Sequence, residues 1–472
     1  MEFLRNLIAG VWTESCADSY SDLVNPATEE VVARYPAGAS EDVDLAVAGA
    51  AVAQRSWAAL PVEKRVREIT EWARAIADQA DALAWAEYLE MGRPPEVGRT
   101  AIIRAANAFE TSAAQALTYE FESVIADGDG ETRILRRPVG VVALIAPWNY
   151  PLAGVLSTLG PLLAAGNSVV IKPSEKSPLS AVRLLDRSPL PPGVVSLVLG
   201  DSRAGAPLVE HPDIGLVHFT GSVDTGRRVG ASAGAALRRT ILELGGKDPV
   251  IVDSDVDPVT TAAAVARGAF MNTGQLCTSM ERIYVHSDIA TRFVDELVQA
   301  AAQYRITESS SGSTELGPLI DQRQRNLVHE HVMDAVERGA TVLTGGTVPE
   351  GPGFYYPATV LTNVDETMSV MTEETFGPVA PVKVVSTFEE ALECAAKSHY
   401  GLGATVYTNN AEHAEAAATL PAGQIWINQW RGGGPNSIHE PAKNSGMGAT
   451  GSHATYDAAT RPTSVYRPTL RS

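Results

Sequence analysis

The run Val141-Val-Ala-Leu-Ile-Ala146 stops at Pro147-Trp-Asn-Tyr-Pro151, and the next apolar run, Ser168-Val-Val-Ile171, stops at Lys172-Pro-Ser-Glu175. From Val139 this pattern recurs, with runs at Val141–Ala146, Ser168–Ile171, Val194–Leu199, Leu216–Thr220 and Thr240–Leu244, separated by helical stretches. Each run has strand length, and several are rich in Val and Ile, the signature of parallel strands buried on both faces by intervening helices. The expected fold class is therefore α/β, with a doubly wound parallel sheet. Ligands in such sheets bind beyond the carboxyl ends of the strands, where the polar segments of this chain fall. The second half continues in the same style at Pro249–Val252, Ile283–Val285, Gly403–Tyr407 and Gln424–Asn428, which predicts a second α/β domain. Before the first run, Ser40-Glu-Asp-Val43 reads as a helix cap with acids in the first turn. A stretch from Pro61 places Val66, Ile69, Ala73 and Ile76 at three- and four-residue spacing, so two amphipathic helices are expected to open the chain.

At 472 residues the chain exceeds what one hydrophobic core holds, so at least two domains are expected. Against 56 acidic residues stand 37 basic ones, a net charge of -19 that repels nucleic acid and anionic membrane surfaces. Neither is expected as a partner. The amino terminus reads as neither a basic leader nor a signal sequence, and three cysteines, Cys16, Cys277 and Cys394, fit a reducing compartment, so a cytoplasmic location is expected. No metal is expected: His329-Glu-His331 lacks the spacing of a helical zinc pair, and there is no Cys-x-x-Cys.

Chemistry concentrates in the segments at the ends of the runs. Cys277, in Asn272-Thr-Gly-Gln-Leu-Cys277, sits among glycine and small polar residues, where a substrate can be approached closely. Glu243 opens Glu243-Leu-Gly-Gly-Lys247 at a strand end, where a carboxylate with little bulk around it would act as a general base. Its bland alternative is a salt bridge to Lys247. Asn149 offers an amide donor to an oxyanion, an effect worth about 3 to 4 kcal/mol when one such donor is lost. Alternatively it is a turn residue bonded to its own backbone. Lys172 and Glu175 end a strand as ribose ligands would, and the carboxylate disfavours the extra phosphate of NADP. A surface ion pair explains the same letters. Phe219-Thr-Gly-Ser-Val-Asp-Thr-Gly226 leads into a helix whose first N–H groups would meet a phosphate. It is not a Rossmann fingerprint, and Arg227 and Arg228 stand where a P-loop needs Lys and Ser or Thr. In Glu373-Glu-Thr-Phe-Gly-Pro378, Glu374 would hold a sugar hydroxyl and Phe376 would pack on a planar ring, unless the segment is only a loop ending in a Gly-Pro turn.

Taken in order, Pro147-Trp-Asn149, Lys172-Pro-Ser-Glu175, Gly221-Ser-x-x-x-Gly226, Glu243-Leu-Gly-Gly-Lys247, Gly274-Gln-x-Cys277 and Glu373-Glu-x-Phe-Gly-Pro378 resemble the motif series of the NAD(P)-dependent aldehyde dehydrogenase superfamily. The likeness runs from Asn25-Pro-Ala-Thr28 to Ser445-Gly446. It implies a cofactor domain (1–117 and 139–245), a catalytic domain (246–437) and a small β element (118–138 and 438–472) through which homodimers or homotetramers form. It implies Cys277 as nucleophile, Asn149 with the Cys277 backbone amide as oxyanion hole, and Glu243 as the base that activates water. The cofactor, NAD with NADP as the alternative, would be held by Trp148, Lys172, Glu175, Gly221, Ser222, Gly226, Glu374 and Phe376. The implied chemistry is oxidation of an aldehyde to a carboxylic acid through a cysteine thiohemiacetal and a thioester. The alternatives are release of the thioester to coenzyme A and a non-catalytic structural protein of the same fold.

Four departures bear on the substrate and the cofactor. Where the family has an aromatic and glycines before Ser-Gly, this chain reads Ile438-His-Glu-Pro-Ala-Lys443, so His439 and Glu440 would shape an acidic mouth suited to an aminoaldehyde. Ser157 and Met271 replace bulkier aromatics and, with Tyr150 and His439, define the expected substrate pocket. Thr450 stands where a second glutamate is common. The helix between Ser180 and Leu190 is expected to be about one turn short.

Overall fold

The computed structural model describes residues 1–306 and 315–469. Its first large sheet has eight strands in the order Gly446–Met447, Arg239–Glu243, Ile214–Thr220, Val141–Ile145, Ser168–Lys172, Val195–Leu197, Asn6–Ile8 and Val11–Thr13. The five central strands are mutually parallel, and the two ends are closed by antiparallel pairs. Alternate residues of one strand feed two different cores. Val141, Ala143 and Ile145 pack with Val43, Val47 and Ala50 of the Ser40–Ala58 helix, whereas Val142 and Leu144 pack with Leu152, Leu156 and Leu159 of the Pro151–Ala164 helix. Burial on both faces is why these strands are apolar throughout. The chain runs outward from Val141–Ile145 through Ser168–Lys172 to Val195–Leu197, then returns to the other side of Val141–Ile145 as Ile214–Thr220. The switch point therefore lies between Pro147-Trp-Asn149 and Gly221-Ser222, where a doubly wound sheet opens a ligand crevice.

A second sheet has seven strands in the order Thr341–Thr344, Thr359–Thr362, Val379–Val385, Met280–His286, Asp248–Val252, Gly403–Tyr407 and Gln424–Ile427, all parallel except the first pair. The Arg239–Glu243 strand of the first sheet passes directly into Asp248–Val252 of the second through Leu244-Gly-Gly-Lys247. That junction places Glu243 between the sheets. A separate three-stranded sheet joins Glu122–Asp127, Gly130–Pro138 and Thr460–Pro468, with Tyr466 opposite Thr132.

Two expectations change. Five short strands, from Glu2–Phe3 to Val31–Pro36, precede the first helix, so the chain does not open on helices. Ser40 is also not a cap: it is the first residue of the Ser40–Ala58 helix, Ala39 precedes it, and no side chain caps the end. The acids Glu41 and Asp42 do lie in the first turn, and Asp42 accepts from the Cys16 N–H at 3.0 Å instead of facing water. The expected short helix is Leu179–Leu185, seven residues.

Candidate active site

Cys277 follows a tight turn in which Asn272, Thr273 and Gly274 all have positive φ, at 54°, 59° and 69°. A Cβ on Gly274 would lie 2.0 Å from the Gly377 carbonyl, so this turn presses the Cys277 loop against Phe376-Gly-Pro378. On its other side, a Cβ on Gly246 would lie 2.4 Å from the Cys277 carbonyl. The Glu243-Leu-Gly-Gly segment and the thiol loop thus touch at their backbones because glycine stands there.

Asn149 is buried, and its side-chain Nδ2 donates to the Gln275 carbonyl at 3.0 Å, two residues before the thiol. An amide nitrogen has two hydrogens, so this bond fixes the group and leaves a second donor. The Asn149 carbonyl accepts from Arg93 Nη2 at 2.6 Å and from Asn272 Nδ2 at 3.2 Å. Arg93 is buried and paired with Glu87 at 2.6 Å, donates through Nε to Asn272 Oδ1 at 3.2 Å, and lies 4.1 Å from the centre of the Tyr150 ring. One guanidinium therefore registers Asn149, Tyr150 and the approach to Cys277. Sequence reading missed it, because its partners Asn149 and Asn272 are remote in the chain.

Glu243 ends its strand with its side chain 17% exposed. Its Oε1 lies 3.2 Å from His439 Nε2 and accepts from Thr450 Oγ1 at 3.0 Å. The alternative partner Lys247 is engaged elsewhere, paired with Glu281 at 2.7 Å and donating to Thr375 Oγ1. Glu281 in turn accepts from the Thr375 and Phe376 N–H groups at 2.7 and 2.9 Å, so this buried pair holds the Glu373–Pro378 turn in place.

The thiol is protonated at rest. Burial pushes the Cys277 thiol up to about 12; Arg431 pulls it down, and Asp248, Glu374 and Glu243 push it further up. Arg431 belongs to a segment that also sends Trp430 Nε1 to the Thr278 carbonyl at 3.0 Å, beside the thiol. Neither residue had a signal in the sequence.

For a dinucleotide, the fit can be judged from the donors present. Lys172 is buried, with Nζ donating to the Pro173 carbonyl and 3.9 Å from half-buried Glu175. That loose pair at a strand terminus matches two ribose hydroxyls. Ser222 caps the thirteen-residue helix Val223–Ala235, accepting from the Thr225 N–H at 3.4 Å, and the first turn of that helix points its N–H groups to the crevice side of the strand end. Gly226 serves packing, since a Cβ there would lie 2.3 Å from Leu244 Cδ2; Gly221 donates its N–H to the Glu243 carbonyl and ties the two strand ends together. Phe376, at φ 51°, meets Trp148 edge-to-face with centroids 5.3 Å apart. Glu374 accepts from the Gly246 N–H at 3.0 Å; burial and the neighbouring Glu281 push its carboxyl up to about 8, against that N–H and Lys247. The residues fit the group.

Of the pocket candidates, Tyr150 precedes the Pro151–Ala164 helix, and exposed Ser157 follows it at helical spacing on a helix otherwise largely buried. Met271 is half-buried at the start of the thiol turn. His439 sits against Glu243. Glu440 does not pair with Lys443: it is exposed and accepts from the Gly448 N–H at 3.0 Å, while Lys443 donates to the carbonyls of Ala396 and Ser398.

Comparison with known proteins agrees across the chain. The profile of the aldehyde dehydrogenase family matches residues 12–465. Chloroplastic betaine aldehyde dehydrogenase of Beta vulgaris is 35% identical over 460 residues, 93% of this chain and 91% of that one. Lactaldehyde dehydrogenase of Escherichia coli is 36% identical over 449 residues, 93% of this chain and 94% of that one. A crystal structure of an indole-3-acetaldehyde dehydrogenase with NAD+ superposes with a TM-score of 0.95 at 33% identity, covering 99% of this chain and 97% of that one. The chain belongs to the aldehyde dehydrogenase family and is an NAD(P)-dependent oxidoreductase of aldehydes.

Proposed function

We propose that Cys277 is the nucleophile, Asn149 the oxyanion donor and Glu243 the base that hydrolyses the acyl-enzyme. The observation that carries this reading is the bond from Asn149 Nδ2 to the Gln275 carbonyl, together with the backbone contact of Gly246 with Cys277. These join the three segments at one place. As the thiolate adds to the aldehyde carbon, the second Asn149 N–H and the Cys277 backbone N–H hold the developing oxyanion. Bound NAD(P) supplies the hydride acceptor. Lys172 and Glu175 hold its adenosine ribose, Ser222 and the helix start its pyrophosphate, and Glu374 and Phe376 its nicotinamide end. Glu243 then takes a proton from the water that attacks the thioester.

The segments 1–117 and 139–245 would form the cofactor domain, 246–437 the catalytic domain, and 118–138 with 438–472 the assembly element. Of the assembly element, Glu122–Asp127, Gly130–Pro138 and Thr460–Pro468 make up the three-stranded sheet, while Gly446–Met447 edges the first large sheet. That three-stranded sheet exposes Val124, Ile125, Val465 and Tyr466, an apolar surface suited to homo-oligomer formation. No described helix is long and apolar enough to cross a membrane.

The substrate in this reading is a polar aldehyde carrying an amino or hydroxyl group, supported by the names of the betaine aldehyde and lactaldehyde relatives and by the polar residues Ser157, His439 and Thr450. Following nicotinamide reduction with aminoaldehydes, hydroxyaldehydes and alkyl aldehydes of equal length, with and without coenzyme A, tests it. Equal specificity constants across the panel would end the substrate assignment, and acceleration by coenzyme A would replace water as the acyl acceptor. Cys277→Ala should abolish reduction. Glu243→Gln should keep the first burst and slow steady turnover.

A further inference from the structure

Glu243 has a partner whose chemistry goes beyond packing. His439 and Thr450 form an isolated antiparallel bridge, with N–H to carbonyl distances of 3.0 and 2.8 Å, so both side chains are presented from one fixed rung. Both reach Glu243 Oε1: the imidazole Nε2 at 3.2 Å and the threonine hydroxyl at 3.0 Å, with the hydroxyl 3.3 Å from Nε2. The other ring nitrogen, Nδ1, faces Gln424 Nε2 at 3.5 Å. His439 is 25% exposed on its side chain, so a proton taken up there has a path to water.

We propose that His439 is the positioning residue and proton acceptor of Glu243 during hydrolysis of the acyl-enzyme. This rests on the reading of Glu243 as the base. A carboxylate that takes a proton from water gains from a second acceptor placed behind it. The step balances without an oxidant. Water oxygen adds to the thioester carbon, and its proton passes to the Glu243 carboxylate. The Glu243 O–H then breaks, and its proton goes to Nε2 of neutral His439 in the tautomer that carries its hydrogen on Nδ1, toward the Gln424 side-chain amide oriented to accept it, giving carboxylate and imidazolium. Collapse of the tetrahedral intermediate breaks the carbon–sulfur bond and returns Cys277 as thiolate, and the imidazolium gives its proton to solvent. Thr450 holds Glu243 Oε1 in line throughout.

Only neutral His439 can accept the proton, so hydrolysis falls as pH drops through the imidazole pKa. The groups facing it are Glu243 from the Arg239–Glu243 strand, Thr450 across the bridge and Gln424 from the Gln424–Ile427 strand. Adjacent Glu440 is turned to the Gly448 N–H, and Lys443 to the Ala396 and Ser398 carbonyls. Behind Glu243 lie Cys277 and buried His218, whose imidazole burial holds neutral at about 4. Burial works against the imidazolium of His439, but the hydrogen bond and charge of Glu243 outweigh it and carry its pKa above the ordinary value. The acid limb of hydrolysis then lies above about pH 6.5, far from the carboxylate range.

The test uses the enzyme with NAD and an aldehyde, measuring the first burst of reduced cofactor and the steady rate from roughly pH 5 to 9. His439→Gln can donate to Glu243, as the imidazolium does, but cannot accept a proton. It should retain the burst, lose about tenfold to a hundredfold in steady rate, and move the acid limb below about pH 5.5. Thr450→Val should lose rate and leave the limb in place. A His439→Gln profile superimposable on that of the parent enzyme overturns the proposal, as does a loss confined to the burst. Where that variant folds poorly, the imidazole of His439 is titrated by NMR in Glu243→Gln: its midpoint should fall, and an unchanged midpoint overturns the pairing. If Glu243→Gln itself leaves steady turnover intact, the base assignment fails; if it behaves as expected and His439→Gln does not, only the present inference fails.

Discussion

Arg93 donates to the Asn149 carbonyl at 2.6 Å, while the amide of the same asparagine is tied to Gln275 in the thiol loop. Arg93 also spans Glu87, Asn272 and the Tyr150 ring, so its planar fork sets where the oxyanion donor stands relative to the sulfur. Arg93→Lys keeps a cation for buried Glu87 but cannot reach all of these partners. We expect the variant to fold with a modest loss of melting temperature and to form the acyl-enzyme about ten to a hundred times more slowly, the penalty of a displaced catalytic group. Stopped-flow measurement of the burst rate checks this, and a parent-like burst would remove Arg93 from the oxyanion machinery.

The central sheet was legible because burial on both faces leaves its strands apolar, as Val141–Ile145 and Ser168–Lys172 show. The opening strands Asn6–Ile8 and Val11–Thr13 were not, since three residues carry no period to read and their stability comes from pairing with each other and with Val195–Leu197. Glu243, Asn149 and Cys277 were visible through their local setting at strand ends and among glycines. Arg93 and Glu281 were not, because what they do depends on partners such as Asn149 and Thr375 that only the fold brings near. His439 was noticed for the pocket, but its contact with Glu243 joins positions almost two hundred residues apart.

Only the thiolate of Cys277 is reactive, and its thiol, pushed up to about 12 by burial, is almost wholly protonated at neutral pH. Alkylation by iodoacetamide in the absence of cofactor should be slow and rise about tenfold per pH unit from roughly pH 7 to 10 without a plateau. Peptide mass spectrometry separates it from exposed Cys16. Because Arg431 favours the thiolate, Arg431→Leu should lower the rate at every pH in that window. A plateau near neutral pH, or no effect of Arg431→Leu, would show that another group sets the thiol.

Gly274 combines φ 69° with a site where a Cβ would lie 2.0 Å from the Gly377 carbonyl. Gly274→Ala must open the turn that presses the thiol loop against Phe376-Gly-Pro378. We expect a loss of stability of about 1 to 3 kcal/mol or more from the backbone alone and a weaker apparent cofactor affinity as Phe376 moves. Chemical denaturation and cofactor titration read both, and a parent-like protein would contradict the described turn.

The three-stranded sheet exposes Val124, Ile125, Val465 and Tyr466. A charge placed there costs a free monomer little, within about 0.5 kcal/mol for an exposed site, yet costs far more when buried unpaired between subunits. Val465→Glu should therefore lower the mass seen by light scattering toward that of one chain, while the variant chain keeps the parent's far-ultraviolet circular dichroism. If the protein is an oligomer and its mass is unchanged by Val465→Glu and by Val124→Glu, assembly uses another surface and the sheet is exposed for a different reason.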